Sequence, residues 1–529
     1  MLMNQTEYNN RPQRLLSDGL VASAQRVPEK VALVVEGEPY TYQQLYNAAI
    51  KLAFSLTAKG LERGGRVAIY MDNSWHCAVS IYGVTLAGGV FVVINPQTKA
   101  DKLDYVLDNC EAGILLTDYH LERVLTLPSK ITSNLKLIIV SRGGANVKND
   151  DIKLASFEEQ INNAEVGPLQ NNVIPNDLAS LIYTTGSSGV PKGVMQTHQS
   201  MVFAIGSLIE YLRLSDSDRI LLILPLAFDY GLYQLLMAVN LGATLIVERS
   251  FAFPAQIYDQ IEKQLVTVLP GVPTVFTMMI ASFKKQGRIF PSVTRVTNTA
   301  ASLPEEYIPY LRKIFPNAEI YKMYGLTECK RVSYLEPSLI KEKPDSVGKA
   351  IPGTEVYIMT PEGHPAKAGE EGILYVRGPH IMAGYWKLPE QTKKMLKQGP
   401  LPGEHVLCTQ DRFRMDEEGF LYYLGRTDDI IKTRGEKVSP VELENVLQQI
   451  PGVMGVAIVG VEDELLGNAI HAYIVKDPTA EISEKIIKRF CFDHLESFMV
   501  PRKIIFVDEL PQNLNGKIDK RELLKIHEQ

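Results

Sequence analysis

The first 120 residues alternate between helix-like and strand-like hydrophobic patterns, and this alternation limits the fold more than any other feature of the sequence. Thr41 and Gln44 form a capping-box pattern ahead of apolar residues at helical spacing, and Gly60 stands where a glycine ends a helix. The segments that follow are strand 66–70, helix 74–87, strand 89–95, helix 101–110 and strand 113–117. Because strands that alternate with helices are typical of parallel sheets, we expect an α/β sheet covered by helices on both faces.

Two later changes of texture predict the domain organisation. The strand pattern recurs in three segments, 219–225, 243–248 and 292–299. After about residue 345 the sequence becomes turn-rich, which predicts a small β unit. We therefore expect an α/β protein with a large N-terminal domain of layered α/β subdomains plus that β unit, 1–427, and a small mobile C-terminal α+β domain, 428–529.

Local patterns also predict the elements of the small domain. They are strand 429–433, helix 439–449, strand 453–460, strand 469–475 and helix 482–495, followed by a polar tail.

Charge and cysteine content exclude some classes of function. A net charge of −6 argues against a nucleic-acid partner. Five cysteines lie far apart without a C-x-x-C spacing, which indicates a reducing compartment and no zinc site. The first residues contain no apolar signal core, and the uncharged segment 73–98 is interrupted by Gly83 and Gly88, so we expect it to be a buried helix and strand. These features predict a cytoplasmic protein with no membrane partner.

Five short motifs stand out, and four of them can each be explained as an ordinary turn, strand end or helix cap. The stretch YTTGSSGVPKG at 183–193 is rich in glycine and hydroxyl groups, but its spacing does not match a Walker A loop, and its central part is typical of a surface turn. YGLTE at 324–328 fits a strand end, GRTDD at 425–429 fits a turn with a capping aspartate, and NGK at 515–517 fits an Asn-Gly turn. The fifth motif, TQD at 409–411, is too short to predict a structure or a function by itself.

Taken in order, these motifs resemble those of the adenylate-forming superfamily, which includes acyl-CoA ligases, amino-acid adenylation domains and luciferases. The resemblance covers about residues 20–525. It implies that a carboxylate attacks the α-phosphate of ATP, releases pyrophosphate and leaves an acyl-adenylate. Two anions must approach each other in such a step, so cations and hydrogen-bond donors are needed where charge accumulates.

The resemblance also implies residue roles, with ATP and Mg²⁺ as cofactors. The loop around the β- and γ-phosphates would comprise Thr184, Thr185, Gly186, Ser187, Ser188 and Gly189, with Lys192 screening charge. The adenine pocket would comprise Ala300, Ala301, Ser302, Tyr324 and Gly325. Thr327 would contact the α-phosphate, Glu328 would hold Mg²⁺, Asp411 would accept the ribose hydroxyls and Arg426 would support them. Lys517 would bridge the substrate carboxylate and the α-phosphate, and Asp428 would be the hinge of the small domain.

The segment 224–234, LPLAFDYGLYQ, bears on the choice of substrate. It departs from the LPLFHVYGL pattern common in fatty and aryl acyl-CoA ligases and resembles amino-acid adenylation domains, in which the aspartate at the position of Asp229 pairs with the α-amino group of the substrate. Because a carboxylate in an apolar acyl pocket is costly unless it meets a cation, an amino acid with its ammonium group is the favoured substrate. The alternative is a solvated or helix-capping aspartate. By the resemblance, the remaining pocket residues would be Tyr230, Tyr233, Asn298, Met323, Arg331 and Val332. Arg331 leaves three possibilities open: it points away, pairs with Asp229 or reads a polar side chain.

The whole pattern most resembles stand-alone prolyl-AMP ligases that load a carrier protein, which implies L-proline as the substrate. No GGxS phosphopantetheine site follows 521–523, so we expect a phosphopantetheinylated carrier protein in trans as the thiol partner. An acyl- or aryl-CoA ligase is the alternative. A non-catalytic nucleotide-binding protein is disfavoured because Lys192, Glu328 and Lys517 are all retained, and a luciferase-like oxygenase would share the same adenylation step.

Overall fold

The structure is a computed structural model. It describes residues 13–124, 134–143, 152–164, 166–167, 172–185, 191–427, 429, 431–433, 436–463, 467–495, 498–513 and 517–527. Five of the predicted functional residues lie outside the described residues: Gly186, Ser187, Ser188, Gly189 and Asp428.

The helices of the described chain are numbered in chain order. They are α1 (Asp18–Arg26), α2 (Tyr42–Ala58), α3 (Trp75–Leu86), α4 (Ala100–Cys110), α5 (Phe157–Asn163), α6 (His198–Tyr211), α7 (Asp229–Leu241), α8 (Pro254–Lys263), α9 (Pro273–Gln286), α10 (Tyr307–Ile314), α11 (Pro389–Met395), α12 (Pro440–Gln448), α13 (Glu484–His494) and α14 (Lys520–His527). Short 3₁₀ turns cover Tyr119–Val124 and Pro337–Leu339.

The strands are numbered in the same way. They are β1 (Val31–Val35), β2 (Glu38–Thr41), β3 (Arg66–Tyr70), β4 (Val90–Ile94), β5 (Ile114–Asp118), β6 (Leu137–Ser141), β7 (Lys153–Ser156), β8 (Leu178–Thr185), β9 (Pro191–Thr197), β10 (Arg219–Leu222), β11 (Thr244–Val247), β12 (Val268–Gly271), β13 (Arg295–Asn298), β14 (Glu319–Tyr324), β15 (Ser333–Leu335), β16 (Lys349–Ala350), β17 (Glu355–Met359), β18 (Glu371–Arg377), β19 (Gly384–Tyr385), β20 (Leu396–Gln398), β21 (His405–Met415), β22 (Leu421–Arg426), β23 (Ile431–Thr433), β24 (Glu436–Val438), β25 (Val453–Asp463), β26 (Gly467–Lys476) and β27 (Lys503–Phe506).

Two large sheets form the N-terminal part of the molecule, and the expected α/β class with layered subdomains is confirmed. One has nine strands in the order β16-β15-β14-β13-β12-β10-β11-β1-β2, and the other has eight in the order β19-β9-β8-β4-β3-β5-β6-β7. Both are parallel in the middle. The nine-stranded sheet has antiparallel strands at both edges, and the eight-stranded sheet has them only at the edge formed by β19 and β9. Strand β1 pairs with β11, which lies far away in the sequence. Local sequence patterns do not specify such a long-range pairing.

Local signals predicted the early elements correctly. Thr41 and Gln44 form the expected reciprocal capping box at the start of α2, and Gly60 follows that helix at φ 89°. The uncharged segment 73–98 becomes the buried helix α3 followed by the buried strand β4, as expected. Among the described residues, no helix combines the length and apolar character needed to cross a lipid bilayer.

The remaining sheets lie in the second half of the chain. Strands β17, β18, β20, β21 and β22 form the expected small β unit. In the C-terminal part, β25, β26 and β27 form one sheet, while β23 and β24 pair with each other. The polar tail contains two elements that the sequence patterns did not predict: β27, which pairs in parallel with β26, and α14, which follows it.

Candidate active site

A cavity of about 390 Å³ brings together loops that follow parallel strands of both large sheets, where ligands of α/β proteins bind. Its wall includes Thr184 at the end of β8, Asp229 at the start of α7 and Ala300 beyond β13. The C-terminal part of the chain contributes Lys517 to the same wall. The predicted residues that line the cavity are Thr184, Asp229, Tyr230, Ala300, Gly325, Thr327, Arg331 and Lys517.

The predicted phosphate loop joins two paired strands. Thr184 on β8 lies opposite Lys192 on β9, and Thr185, which ends β8, is opposite Pro191. The Lys192 ammonium lies 5.4 Å from the ring centre of Tyr385. A hydroxyl-bearing residue and a cation thus lie on the two strands that the loop joins, and both are groups that can bind phosphate oxygens.

Tyr385 is a site residue that the sequence did not reveal. Its hydroxyl donates a hydrogen bond of 2.5 Å to Oε1 of Glu328, the residue expected to hold Mg²⁺. Its ring lies under Lys192, so one side chain contacts both groups. No local sequence signal marks Tyr385, because its place depends on β19 pairing with β9.

Close backbone packing shapes the loop after β14. A Cβ atom at Gly325 would lie 2.1 Å from the Lys330 carbonyl oxygen, so only glycine fits there. The next residue but one, Thr327, is held through its carbonyl oxygen, which accepts a 3.2 Å hydrogen bond from Gln196. The segment 325–327 therefore lines the cavity in a defined shape.

The predicted nucleoside end lies on β13, β14 and β21. Ala300, which lines the cavity, has φ 74°, a conformation that is unusual for a residue with a side chain and is common at functional sites. Ala301 and Ser302 are exposed beside it. Tyr324 donates a hydrogen bond to Oδ2 of Asp411.

The second oxygen of Asp411 is a buried acceptor that lacks a hydrogen bond among the described residues. The Nε atom of Arg426 lies 3.9 Å from it, on the strand paired with β21. Burial raises the pKa of Asp411 to about 6, while the charges of Arg426 and Lys517 act in the opposite direction. A buried acceptor without a donor fits the expected ribose hydroxyls.

Activity with ATP is expected to fall as the pH drops through about 6, because protonated Asp411 is a weaker acceptor for the ribose. The kcat/KM for ATP reports ionisation of the free enzyme, and we expect its Asp411-dependent part to fall about tenfold per pH unit below that value. Asp411→Asn is the control, because ATP and other groups also titrate in this range. If the variant shows the same decline as the wild type, Asp411 does not cause it.

Lys517 is held by two hydrogen bonds to Asn513. Its backbone N–H donates a hydrogen bond of 3.1 Å to the side-chain oxygen of Asn513, and the backbone N–H of Asn513 donates one of 2.8 Å to the carbonyl oxygen of Lys517. Gln512, Asn513 and Lys517 all line the cavity. The C-terminal part of the chain is therefore placed with its lysine at the cavity wall.

Asp229 is the first residue of α7, and Phe228, not Asp229, occupies the N-cap position. The carboxylate is half-buried, and no described residue gives it a hydrogen bond within 3.5 Å or an ion pair within 4.0 Å. The positive end of the helix dipole favours a negative charge there. Asp229 therefore presents to the cavity a carboxylate that has no hydrogen bond or ion pair with the part of the chain that the structure describes.

The other predicted pocket residues are less directly placed. The Tyr230 hydroxyl donates to the Thr297 carbonyl, 2.8 Å away, while Tyr230 lines the cavity. Four further residues are buried but do not line it: Tyr233, Asn298, Met323 and Val332.

Lys330 is a second residue that sequence reasoning missed. It is 1% exposed, and its ammonium lies 3.4 Å from the Thr327 carbonyl oxygen. Burial lowers the pKa of Lys330 to about 7, and the Asp229 charge is the largest influence that opposes this. A lysine directly after YGLTEC carries no local signal of burial.

The comparisons with known proteins agree with this arrangement. Residues 20–386 match the family of AMP-binding enzymes, and residues 442–517 match the AMP-binding enzyme C-terminal domain. A long-chain-fatty-acid–CoA ligase of Bacillus subtilis is 29% identical, over 97% of this chain and 95% of that protein. A linear gramicidin synthase of Brevibacillus parabrevis is 28% identical over 98% of this chain but only 6% of the length of the matched synthase polypeptide.

Solved structures of adenylate-forming enzymes share this fold. O-succinylbenzoate coenzyme A synthetase from Bacillus subtilis, in complex with ATP and magnesium ion, has a TM-score of 0.80 and 25% identity, covering 97% of this chain and 99% of that one. The fold and the cavity define a nucleotide-dependent ligase with a large N-terminal and a small C-terminal domain. The chain belongs to the AMP-binding enzyme family and is an adenylate-forming ligase.

Proposed function

We propose that this protein activates an amino acid as its aminoacyl-adenylate and then transfers the aminoacyl group to the phosphopantetheine thiol of a separate carrier protein. The carboxylate of Asp229 carries the proposal, because it lines the cavity without a hydrogen bond or ion pair among the described residues. An α-ammonium group on the substrate would supply the direct cationic partner that this carboxylate lacks there.

In the first step, a carboxylate oxygen of the amino acid forms a bond to the α-phosphorus of ATP. The bond from that phosphorus to the bridging oxygen breaks, and pyrophosphate leaves with the electron pair. Lys517 holds both the attacking carboxylate and the α-phosphate, and Thr327 donates to the α-phosphate. Thr184 and Lys192 stabilise the departing pyrophosphate.

ATP and Mg²⁺ are the cofactors. We expect Asp411 and Tyr324, which are hydrogen-bonded to each other, to hold the nucleoside, with the second oxygen of Asp411, which has no hydrogen bond among the described residues, accepting from a ribose hydroxyl. Glu328 would hold Mg²⁺, which supplies positive charge to the phosphate oxygens. Tyr385 orients Glu328 through its hydrogen bond.

In the second step, the thiol sulfur attacks the acyl carbon and AMP leaves. The small domain rotates at Asp428, withdraws Lys517 and presents another face to the thiol. The sequence resemblance to carrier-loading ligases is the reason for choosing a carrier-bound thiol as the acceptor. The proposed location is the cytoplasm, where ATP and Mg²⁺ are supplied.

An acyl- or aryl-CoA ligase is the second candidate function, favoured by the fatty-acid–CoA ligase that matches this chain over nearly its full length. In that case Lys330 compensates the charge of Asp229 inside the protein. Free coenzyme A would then replace the carrier protein.

ATP–pyrophosphate exchange with the twenty amino acids and a panel of fatty and aryl acids tests the proposed function. We expect a strong signal with an amino acid, and L-proline is the first candidate because of the sequence resemblance. The matched control for each amino acid is the acid of the same skeleton without its amino group. A signal confined to acids that lack the amino group would overturn the proposal and favour the CoA ligase.

A further inference from the structure

Arg331 places a second, deeply buried charge at the substrate cavity. The residue is 4% exposed, yet it lines the cavity together with Asp229 and Tyr230. Arginine is almost never buried to this degree without a partner of opposite charge. The reason for its position therefore requires an explanation beyond packing.

Within the described parts of the chain, no carboxylate lies within 4.0 Å of the Arg331 guanidinium. Its Nε atom is buried and has no hydrogen-bond acceptor among those residues. Asp229 thus does not pair with Arg331, which removes one of the three possibilities left open by the sequence. A buried charge without a partner of opposite charge destabilises the protein unless a ligand compensates it, and the cavity that Arg331 lines is where a ligand could do so.

Neighbouring groups hold the guanidinium in place without neutralising it. The Nη1 atom of Arg331 donates a hydrogen bond of 2.8 Å to the carbonyl oxygen of Lys330. The guanidinium carbon lies 4.9 Å from the ring centre of Tyr230, a cation–π contact, and the Tyr211 hydroxyl is also close. These contacts fix the orientation of the side chain, so a ligand would meet a preorganised donor.

We propose that Arg331 binds an oxygen acceptor carried by the substrate at a distance from its reacting carboxylate. The acceptor is a carboxylate, a carboxamide or a hydroxyl group, since each can accept from a guanidinium N–H. As applied to amino acids, this inference rests on the proposed function, and it narrows the substrate to amino acids with a polar side chain. L-Proline offers no such acceptor, and we expect an acceptor-bearing amino acid to be the better substrate.

Isosteric substrates test the inference directly. Aspartate, asparagine and leucine have side chains of similar size, and succinate, succinamate and 4-methylpentanoate are the same skeletons without the amino group. We expect the better of aspartate and asparagine to exceed leucine by about 10- to 100-fold in kcat/KM, measured by ATP–pyrophosphate exchange. Aspartate ahead of asparagine indicates an anionic acceptor, and the reverse order indicates a neutral one. A parallel comparison of trans-4-hydroxyproline with proline covers cyclic substrates.

The variant Arg331→Met keeps much of the side-chain length and removes the donors. It should abolish the preference for the acceptor while leaving the KM for ATP unchanged. Arg331→Lys retains the charge and should keep part of the preference for an acceptor-bearing substrate. This variant shows whether the loss of that preference in Arg331→Met comes from the missing donors or from misfolding. A wild-type preference for leucine or proline, or an unchanged preference in Arg331→Met, would overturn the inference.

The outcomes also separate this inference from the proposed function. If succinate or succinamate is activated and none of the amino acids is, the amino-acid proposal fails and the role of Arg331 stands. If only apolar amino acids are activated, the role of Arg331 fails and the amino-acid proposal stands.

Discussion

Replacing Lys517 by alanine is expected to lower the rate of acyl-adenylate formation by about 10²- to 10³-fold, the usual effect of removing one donor that stabilises developing charge. Lys517 lines the same cavity as Thr184 and Thr327, and we expect its ammonium to contact both the carboxylate and the α-phosphate. ATP binding should change little, because the other expected contacts to the nucleotide are unaffected. Single-turnover pyrophosphate release gives the rate, and calorimetric titration with ATP gives the affinity.

Two controls accompany this variant. Lys525→Ala removes an exposed lysine of α14 that pairs with Glu522 and does not line the cavity, and it should behave as the wild type. A synthetic acyl-adenylate supplied to Lys517→Ala should still react with the thiol, because Lys517 is expected to leave the site before that step. Near-normal adenylate formation in Lys517→Ala would refute its assigned role.

Local sequence signals predicted the elements that local forces determine. The capping box at Thr41 and the buried helix Trp75–Leu86 depend on residues a few positions apart, and both were correct. The register of Leu33 with Leu245 joins residues more than two hundred positions apart, so hydrophobic periodicity could not assign it. Strand β27 was missed because its four residues lie between polar segments and gain stability only by pairing with β26.

The candidate site shows the same division. Ordered motifs named Thr184, Gly325, Thr327 and Lys517, and the structure brings these residues to one cavity. Tyr385 and Lys330 were missed, since a buried lysine and a tyrosine on a two-residue strand differ from ordinary residues only through their tertiary neighbours.

The order of residues in a motif also does not reveal which of them face a cavity. Val332 follows Arg331 directly, yet Val332 packs with the core of the β unit while Arg331 lines the substrate cavity. Side chains at successive positions of an extended segment point in opposite directions, so neighbours such as Arg331 and Val332 can face different environments.

Replacing Asp229 by asparagine is expected to lower kcat/KM for an amino-acid substrate by about 10²- to 10³-fold, because truncating one partner of a desolvated charge pair leaves the other charge unpaired. Asparagine has nearly the same size and keeps an acceptor oxygen, so the change isolates the charge. The corresponding acid without the amino group should be activated equally well or better by the variant. ATP–pyrophosphate exchange with both members of the pair measures the effect.

The position of Asp229 in the first turn of α7 requires a stability control. Loss of the negative charge there weakens an interaction with the helix dipole by about 0.3–1 kcal/mol, which a thermal melt detects. Such a loss acts on the whole fold and cannot change the ratio between an amino acid and its amino-free analogue, whereas loss of an ammonium contact must change it. Asp216→Asn, an exposed aspartate outside the cavity wall, is the matched variant and should leave that ratio unaltered. An unchanged ratio in Asp229→Asn would mean that Lys330, not the substrate, balances this carboxylate, and the chain would then be assigned to the ligases of acids without an amino group.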